Sequence, residues 1–241
     1  MRPGVMLGGQ EWVRVVLPGD EVVPYDPETS SERIVLGPGL RWEDGMVRVA
    51  KAGLLKKVSR DLYFVDTHQK RYVPQRREYV IGIVVKKMGD LYKVDIGASE
   101  PATMSFLSFE NASKKTKQDL SLGDLIYGQL IVANKHMEAE LVCIDAYDRA
   151  MGMGVLPAGG VMFNISLHIA RQLINPHNPF LLTLAAKVKY TIVVGMNGRV
   201  WVKAAKQRDM VALMNCVLML EHMTPEQAED KALWLMEALM V

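Results

Sequence analysis

The sequence predicts a mainly β protein of several domains: a small N-terminal β-domain over residues 1–75, a five-stranded barrel over 76–150 and an α/β domain over 151–241. Three observations carry that expectation. Residues 1–75 hold short apolar runs broken by Gly, Pro and Asp every 8–12 residues, the spacing of short strands. From Arg76 onward, apolar and polar residues alternate with period two. After GMGVLP at 152–157 the period lengthens, and the order becomes β-α-α-β-β-α with one more helix at the end.

Each element follows from its residues. In the first segment VLPGDEVVP, GPGL, EDGMVRVAKAG and RDLYFVDTHQKRYVP supply the short runs and their breaks. In the second, YVIGIVVKKMGDLYKVDIGASEPATMSF reads as strand, turn, strand, with Met88-Gly89-Asp90 at the turn. Tyr92, Val94 and Ile96 alternate with Lys93 and Asp95, so Lys93 is expected to face outward. A polar connection, NASKKTKQDLSLGD, precedes LIYGQLIVANK and AELVCIDAYD. Five strands with a longer connection before the fourth is the plan of an OB-fold barrel.

The third segment opens its helical part with SLHIARQLI, apolar at Leu167, Ile169, Ala170, Leu173 and Ile174. Pro176 and Pro179 then break it, because a proline disfavours helix at the residue before it. PFLLTLAAK restarts a helix with Pro179 in its first turn. KYTIVVGM and RVWVKA read as two strands around Asn197-Gly198, a strong hairpin signal. Gly195, Asn197 and Gly198 are therefore expected to form a structural turn of type I′, with positive φ at Asn197 and Gly198. Val200 and Val202 alternate with Trp201 and Lys203, so one face of that strand is expected to be buried. RDMVALMNCVLMLEHM predicts a long apolar helix, and Thr224-Pro225-Glu226-Gln227 supplies the cap and first turn of a last one.

Composition bounds the function. Apolar residues make up 49% of the 241-residue chain and charged residues 23%, which suits folded domains. No apolar run reaches transmembrane length, and the N-terminal residues do not read as a signal peptide. Cys143 and Cys216, distant in sequence, predict buried thiols in a reducing compartment. Net charge is +2, with basic and acidic counts of 11 and 10 in residues 1–75, 10 and 11 in 76–150, and 8 and 6 in 151–241. Autonomous, tight nucleic-acid binding needs a basic footprint that no region has, so any RNA contact is expected to be shared with partners.

Enzymatic chemistry finds no support. A two-metal nuclease needs carboxylates converging on its ions. Glu138 and Glu140 can share a strand face, but Asp145 has the opposite parity. None of the five histidines lies three to five residues from another His or a Cys, as a zinc site would require. There is no nucleophile elbow, P-loop or complete dinucleotide fingerprint. No catalytic residue, metal or cofactor is expected.

Several stretches together resemble the non-catalytic cap subunits of the RNA exosome, those that join an OB fold to a KH domain. They are PGD at 18–20, YVPQRREYVIGIV at 72–84, KVDIGASEPATMSFLSFENA at 93–112, GDLIYGQLIVANKHMEAELVCID at 123–145, GMGVLP at 152–157, VVGMNGRVWVKA at 193–204 and EHMT at 221–224. The resemblance implies a small β N-terminal domain, an OB-fold domain and a C-terminal KH-type domain. It implies partners too: a ring of RNase-PH-like proteins, other cap proteins and single-stranded RNA guided toward a pore, with catalysis in separate subunits. Nucleus, nucleolus and cytoplasm are the implied locations. The alternative from another class is a free-standing RNA-binding regulator of translation or decay, which the near-neutral charge disfavours.

Within that frame the RNA candidates are specific. A single-strand site on a barrel combines stacking aromatics with a positive groove. Tyr92, Phe106 and Phe109 are the candidate aromatics, and Lys86, Lys87, Lys93, Lys114, Lys115 and Lys117 the candidate cations. Arg199 and Lys203 are further candidates in the KH-type segment. The backbone clamp of many KH domains is a GXXG loop. In the type-I order it joins the first two helices, where this chain has Asn175-Pro176-His177-Asn178 and no glycine. Gly195–Gly198 falls later in the order, between the two strands, so it is expected to be structural.

Overall fold

A computed structural model describes residues 5–7, 10–24, 34–57, 62–113, 116, 118–134, 136–175, 178–223, 227 and 234. The chain divides into two compact units, Met1–His68 and Gln69–Val241.

In the first unit the strands are β1 (Val5–Leu7), β2 (Gln10–Val16), β3 (Glu21–Pro24), β4 (Val35–Leu36), β5 (Leu40–Glu43), β6 (Met46–Val49), β7 (Gly53–Lys57) and β8 (Leu62–Asp66). They form a five-stranded sheet in the order β1-β2-β7-β8-β4 and a three-stranded sheet β3-β6-β5. Val16, Val49, Leu55 and Val65 pack its small core.

The second unit begins with β9 (Tyr79–Met88), β10 (Leu91–Asp95), β11 (Ala102–Ser105), β12 (Leu125–Asn134) and β13 (Met137–Val142). Pairing runs β13-β11-β10-β9-β12, and a further β13–β12 pairing closes the barrel. Between β9 and β10 the register shifts at Lys93/Val94, leaving Val85 unpaired. Such a bulge sharpens strand curvature, which closure of a small barrel needs. Val80, Val84, Tyr92, Val94, Ile96, Met104, Ile126, Leu130 and Leu141 fill the interior. The period-two reading of β10 is therefore the physical one: Tyr92 and Val94 point in, and Lys93 points out.

Strand β14 (Gly154–Val155) pairs with β12 and leads into the C-terminal domain. There β15 (Val161–Asn164), α1 (Leu167–Leu173), α2 (Pro179–Lys187), β16 (Tyr190–Val194), β17 (Arg199–Ala204) and α3 (Gln207–Met219) follow the expected order, ending in a 3₁₀ turn at Leu220–His222. The sheet is β15-β17-β16. Asn178 caps α2 by accepting from the Phe180 amide at 3.0 Å, with Pro179 in the first turn. Leu173, Leu184, Val200, Val202 and Leu213 lie in the core between helices and sheet. The last helix expected from Thr224 lies almost wholly outside the described residues.

Two local expectations are corrected. The hairpin turn is not type I′. The Gly198 amide donates to the Gly195 carbonyl at 3.1 Å, but only Gly198 has positive φ (+77°), and Asn197 does not. That is a type I turn closed by a left-handed glycine, the usual three-residue hairpin. Asn197 keeps an ordinary backbone because its side chain is needed elsewhere. The second correction concerns Trp201, expected opposite the buried valines yet 2% exposed. The segment before β15 crosses that face: a Cβ on Gly160 would lie 2.3 Å from the Trp201 indole, and Lys203 Nζ donates to the Ala158 carbonyl at 2.9 Å.

Candidate nucleic-acid interface

The turn at 195–198 is buried between barrel and KH-type domain. The Asn197 carboxamide accepts from the Ile81 amide at 3.3 Å and donates to the carbonyls of Ile81 and Ile96, each at 2.8 Å. In effect it replaces a strand neighbour for the Ile81 amide and the Ile96 carbonyl, and it shares the Ile81 carbonyl with Arg199 Nη1, which donates at 3.4 Å. The Met196 amide adds a bond to the Tyr79 carbonyl at 2.8 Å. Arg199 follows with Nη1 on the Asp95 carbonyl at 2.5 Å and Nη2 on the Asp95 carboxylate at 2.7 Å.

Both glycines of the G-x-x-G are set by this packing. A Cβ on Gly195 would lie 2.4 Å from Asn197 Oδ1 and 2.8 Å from the Ile81 nitrogen. One on Gly198 would lie 2.6 Å from the Ile165 carbonyl oxygen, on a backbone that already disfavours side chains. Burial tends to raise the Asp95 pKa, but the Gly97 amide and the Arg199 guanidinium outweigh it and hold the carboxyl below its ordinary value. Beside the turn, Tyr72 donates to Glu78 at 2.7 Å. Burial pushes Glu78 upward against that bond and the nearby Arg171 charge.

The barrel surface distributes the other candidates differently from the sequence expectation. Tyr92, Phe106 and Phe109 are 3%, 6% and 5% exposed, so their ring faces belong to the core and are not presented for stacking. Only the Tyr92 hydroxyl reaches outward, donating to the Gln118 carbonyl at 3.1 Å. Lys87 pairs with Asp119 and lies over the Tyr92 ring at 5.7 Å. These two contacts tie down the C-terminal end of the lysine-bearing connection. Lys114, Lys115 and Lys117 themselves lie outside the described residues.

Lys86 is exposed and sits across from Lys93 in the ladder. Lys93 is bound to Glu138 at 2.5 Å and is only 15% exposed. Arg199 is 11% exposed and committed to Asp95, so it has no reach toward a phosphate in this conformation. Lys203 caps the Ala158 carbonyl. Oligonucleotides on OB folds use the second and third strands with the first and last hairpin loops. Here that face, β10 and β11, has Lys93 and Asp95 each neutralised by an opposite charge. Next to it, at the β12–β13 turn, a cleft of about 550 Å³ is lined by Val73, Ala98, Glu100, Asn134, His136 and Met137, among others.

The opposite end of the barrel collects the β9–β10 turn, the connection after β11 and the turn after β13. The Phe106 amide donates to Asp90, and the Cys143 amide to Ser108. In the turn after β13, Asp145 accepts from the amides of Tyr147 and Arg149 at 2.8 and 2.9 Å. Its other oxygen accepts from Arg149 Nε and Nη2 at 3.3 and 3.2 Å. The expected last strand of the barrel, AELVCIDAYD, is corrected here: β13 ends at Val142, and Asp145, weighed from sequence only as a metal-site carboxylate, organises a turn. Its signal was an Asp two residues before an aromatic and four before an Arg, the pattern of an Asx-turned loop.

A closed five-stranded barrel that shares a buried polar joint with a β-α-α-β-β-α domain defines an RNA-binding protein of the S1–KH class. Family models agree: residues 72–154 match the S1 domain of exosome complex component RRP40, 160–208 match a KH domain, and 14–68 match the mammalian RRP40 N-terminal region. The chain is 42% identical to exosome complex component RRP40 of Mus musculus over 90% of its length and 88% of the relative's. It is 42% identical to that of Drosophila melanogaster, covering 86% and 89%, and 33% identical to that of Saccharomyces cerevisiae, covering 84% and 87%. A crystal structure described as an exosome complex RNA-binding protein superposes with a TM-score of 0.57 at 20% identity, covering 69% of this chain and 98% of that one, which supports the fold. The chain belongs to the RRP40 family of exosome complex components.

Proposed function

We propose that this chain acts as a non-catalytic, RNA-binding cap subunit of the RNA exosome. It rests on a ring of RNase-PH-like proteins, helps hold the ring together and guides single-stranded RNA toward the pore. The RNA is then processed or degraded 3′-to-5′ by other subunits, in turnover of rRNA, snRNA, snoRNA and mRNA. The chain works without a cofactor, in nucleus, nucleolus and cytoplasm.

The observation that carries this reading is the buried joint at Asn197 and Arg199. It fixes barrel and KH-type domain to each other through the β16–β17 turn, so the chain's G-x-x-G is spent on the joint and not offered to a nucleic-acid backbone. A fixed pair of domains with near-balanced charge suits a scaffold that borrows RNA affinity from its neighbours. The relatives, all exosome complex components, point the same way. The test has two parts. Affinity purification of the endogenous chain, followed by sizing, is expected to recover it in a large complex with RNase-PH-like proteins; recovery as a free monomer contradicts the proposal. The purified chain with Mg²⁺ and end-labelled RNA is expected to leave the RNA intact, and shortening that depends on this chain's carboxylates contradicts its non-catalytic role.

A further inference from the structure

The turn after β13 presents what the buried aromatics of the barrel do not. Tyr147 is 78% exposed, the most exposed aromatic side chain among the described residues. One face of its ring is held by Arg149, whose Cζ lies 5.1 Å from the ring centroid. Arg149 is in turn gripped by Asp145 through two hydrogen bonds, so its charge is matched locally and its plane is fixed. A cation over one ring face orients the aromatic and leaves the other face to solvent.

The turn is also tied to the cationic rim. The Ala150 amide donates to Glu110 at 3.3 Å, and further along the same connection Asp119 pairs with Lys87. Lys86 and Lys87 at the end of β9 therefore share this end of the barrel with Tyr147. A pre-oriented ring at the same end of the barrel as the exposed Lys86 offers the pairing that single strands use: a base stacks while the backbone runs on toward positive charge. Asp145, Asp148 and Arg149 flank the ring, a more charged setting than the core of a protein interface.

We infer that Tyr147 is a stacking platform for one nucleobase of single-stranded RNA, with Arg149 as the residue that positions the ring. This rests on the RNA-guiding role proposed above. The test uses the reconstituted complex containing this chain and a single-stranded oligouridine carrying 4-thiouridine. Irradiation is expected to crosslink the peptide containing Tyr147. Tyr147→Ala is expected to weaken binding of the oligouridine by about tenfold, while Tyr147→Trp keeps it. With an abasic oligomer the Tyr147→Ala and unaltered complexes are expected to bind alike. Crosslinks elsewhere on the barrel, with affinity unchanged in Tyr147→Ala, would overturn the platform and leave the RNA-guiding role standing. No crosslink anywhere on this chain would overturn both. Loss of the Tyr147→Ala chain from the assembled complex would mark the ring as a protein contact and overturn the platform.

Discussion

Two turns of the second unit use nearly the same chemistry and do opposite things. At 195–199 an amide side chain and an arginine reach across more than a hundred residues to backbone and carboxylate groups of the barrel, and the assembly is buried. At 145–149 an aspartate and an arginine close on each other within four residues, and the assembly is exposed. The first kind of bond is made between domains and replaces water that cannot return, so breaking it strands buried polar groups. The second shapes a loop whose groups water can solvate equally well. Burial and sequence distance, not residue type, decide which turn holds the fold and which one is available to a ligand.

Breaking that contrast begins with Asn197→Ala, the largest expected effect. It leaves the Ile81 amide and the Ile96 carbonyl without this partner and the Ile81 carbonyl with only the long bond from Arg199 at 3.4 Å, and is expected to cost about 3–5 kcal/mol in urea unfolding of the chain. Gly198→Ala comes next. Positive φ and the collision with the Ile165 carbonyl predict a loss of about 2 kcal/mol by the same measurement.

A pH series sharpens the role of Asp95. Its folded-state pKa is depressed, so its contribution is present above the ordinary carboxylate range and lost as pH falls through the folded value. The unaltered chain should therefore melt above Asp95→Asn at neutral pH, and the gap should close as pH falls below about 4. Comparing the two proteins removes the opposing trend of Glu78, whose pKa is raised by burial. At the bottom of the scale, Arg149→Met is expected to leave the melting temperature unchanged, because its side-chain partners among the described residues, Asp145 and Tyr147, lie within four residues and the guanidinium itself is exposed.

Much of this architecture was legible in the sequence because it is local. Alternation at Tyr92, Lys93 and Val94 gave the strand and its outward lysine, and Asn178-Pro179 gave the start of α2. Asn197-Gly198 gave a turn, and the missing glycine at 175–178 directed attention away from a clamp. The turn type was not legible, since Asn197 is held by Ile81 and Ile96, which no local pattern connects to it. Nor was the fate of the aromatics: stacking rings and core rings have the same spacing on a strand, and Tyr92, Phe106 and Phe109 proved to be core. Trp201 obeyed the alternation, but the segment over its face was invisible to it.

The central claim is that G-M-N-G binds the chain to itself and not to RNA. Hydrogen–deuterium exchange on the assembled complex, with and without single-stranded RNA, tests it most directly. Peptides covering 79–83 and 193–200 should be strongly protected, should not change when RNA is added, and should lose protection together in Asn197→Ala. RNA-dependent protection of 193–200, or an Asn197→Ala chain that exchanges like the unaltered one while binding RNA more weakly, would contradict it.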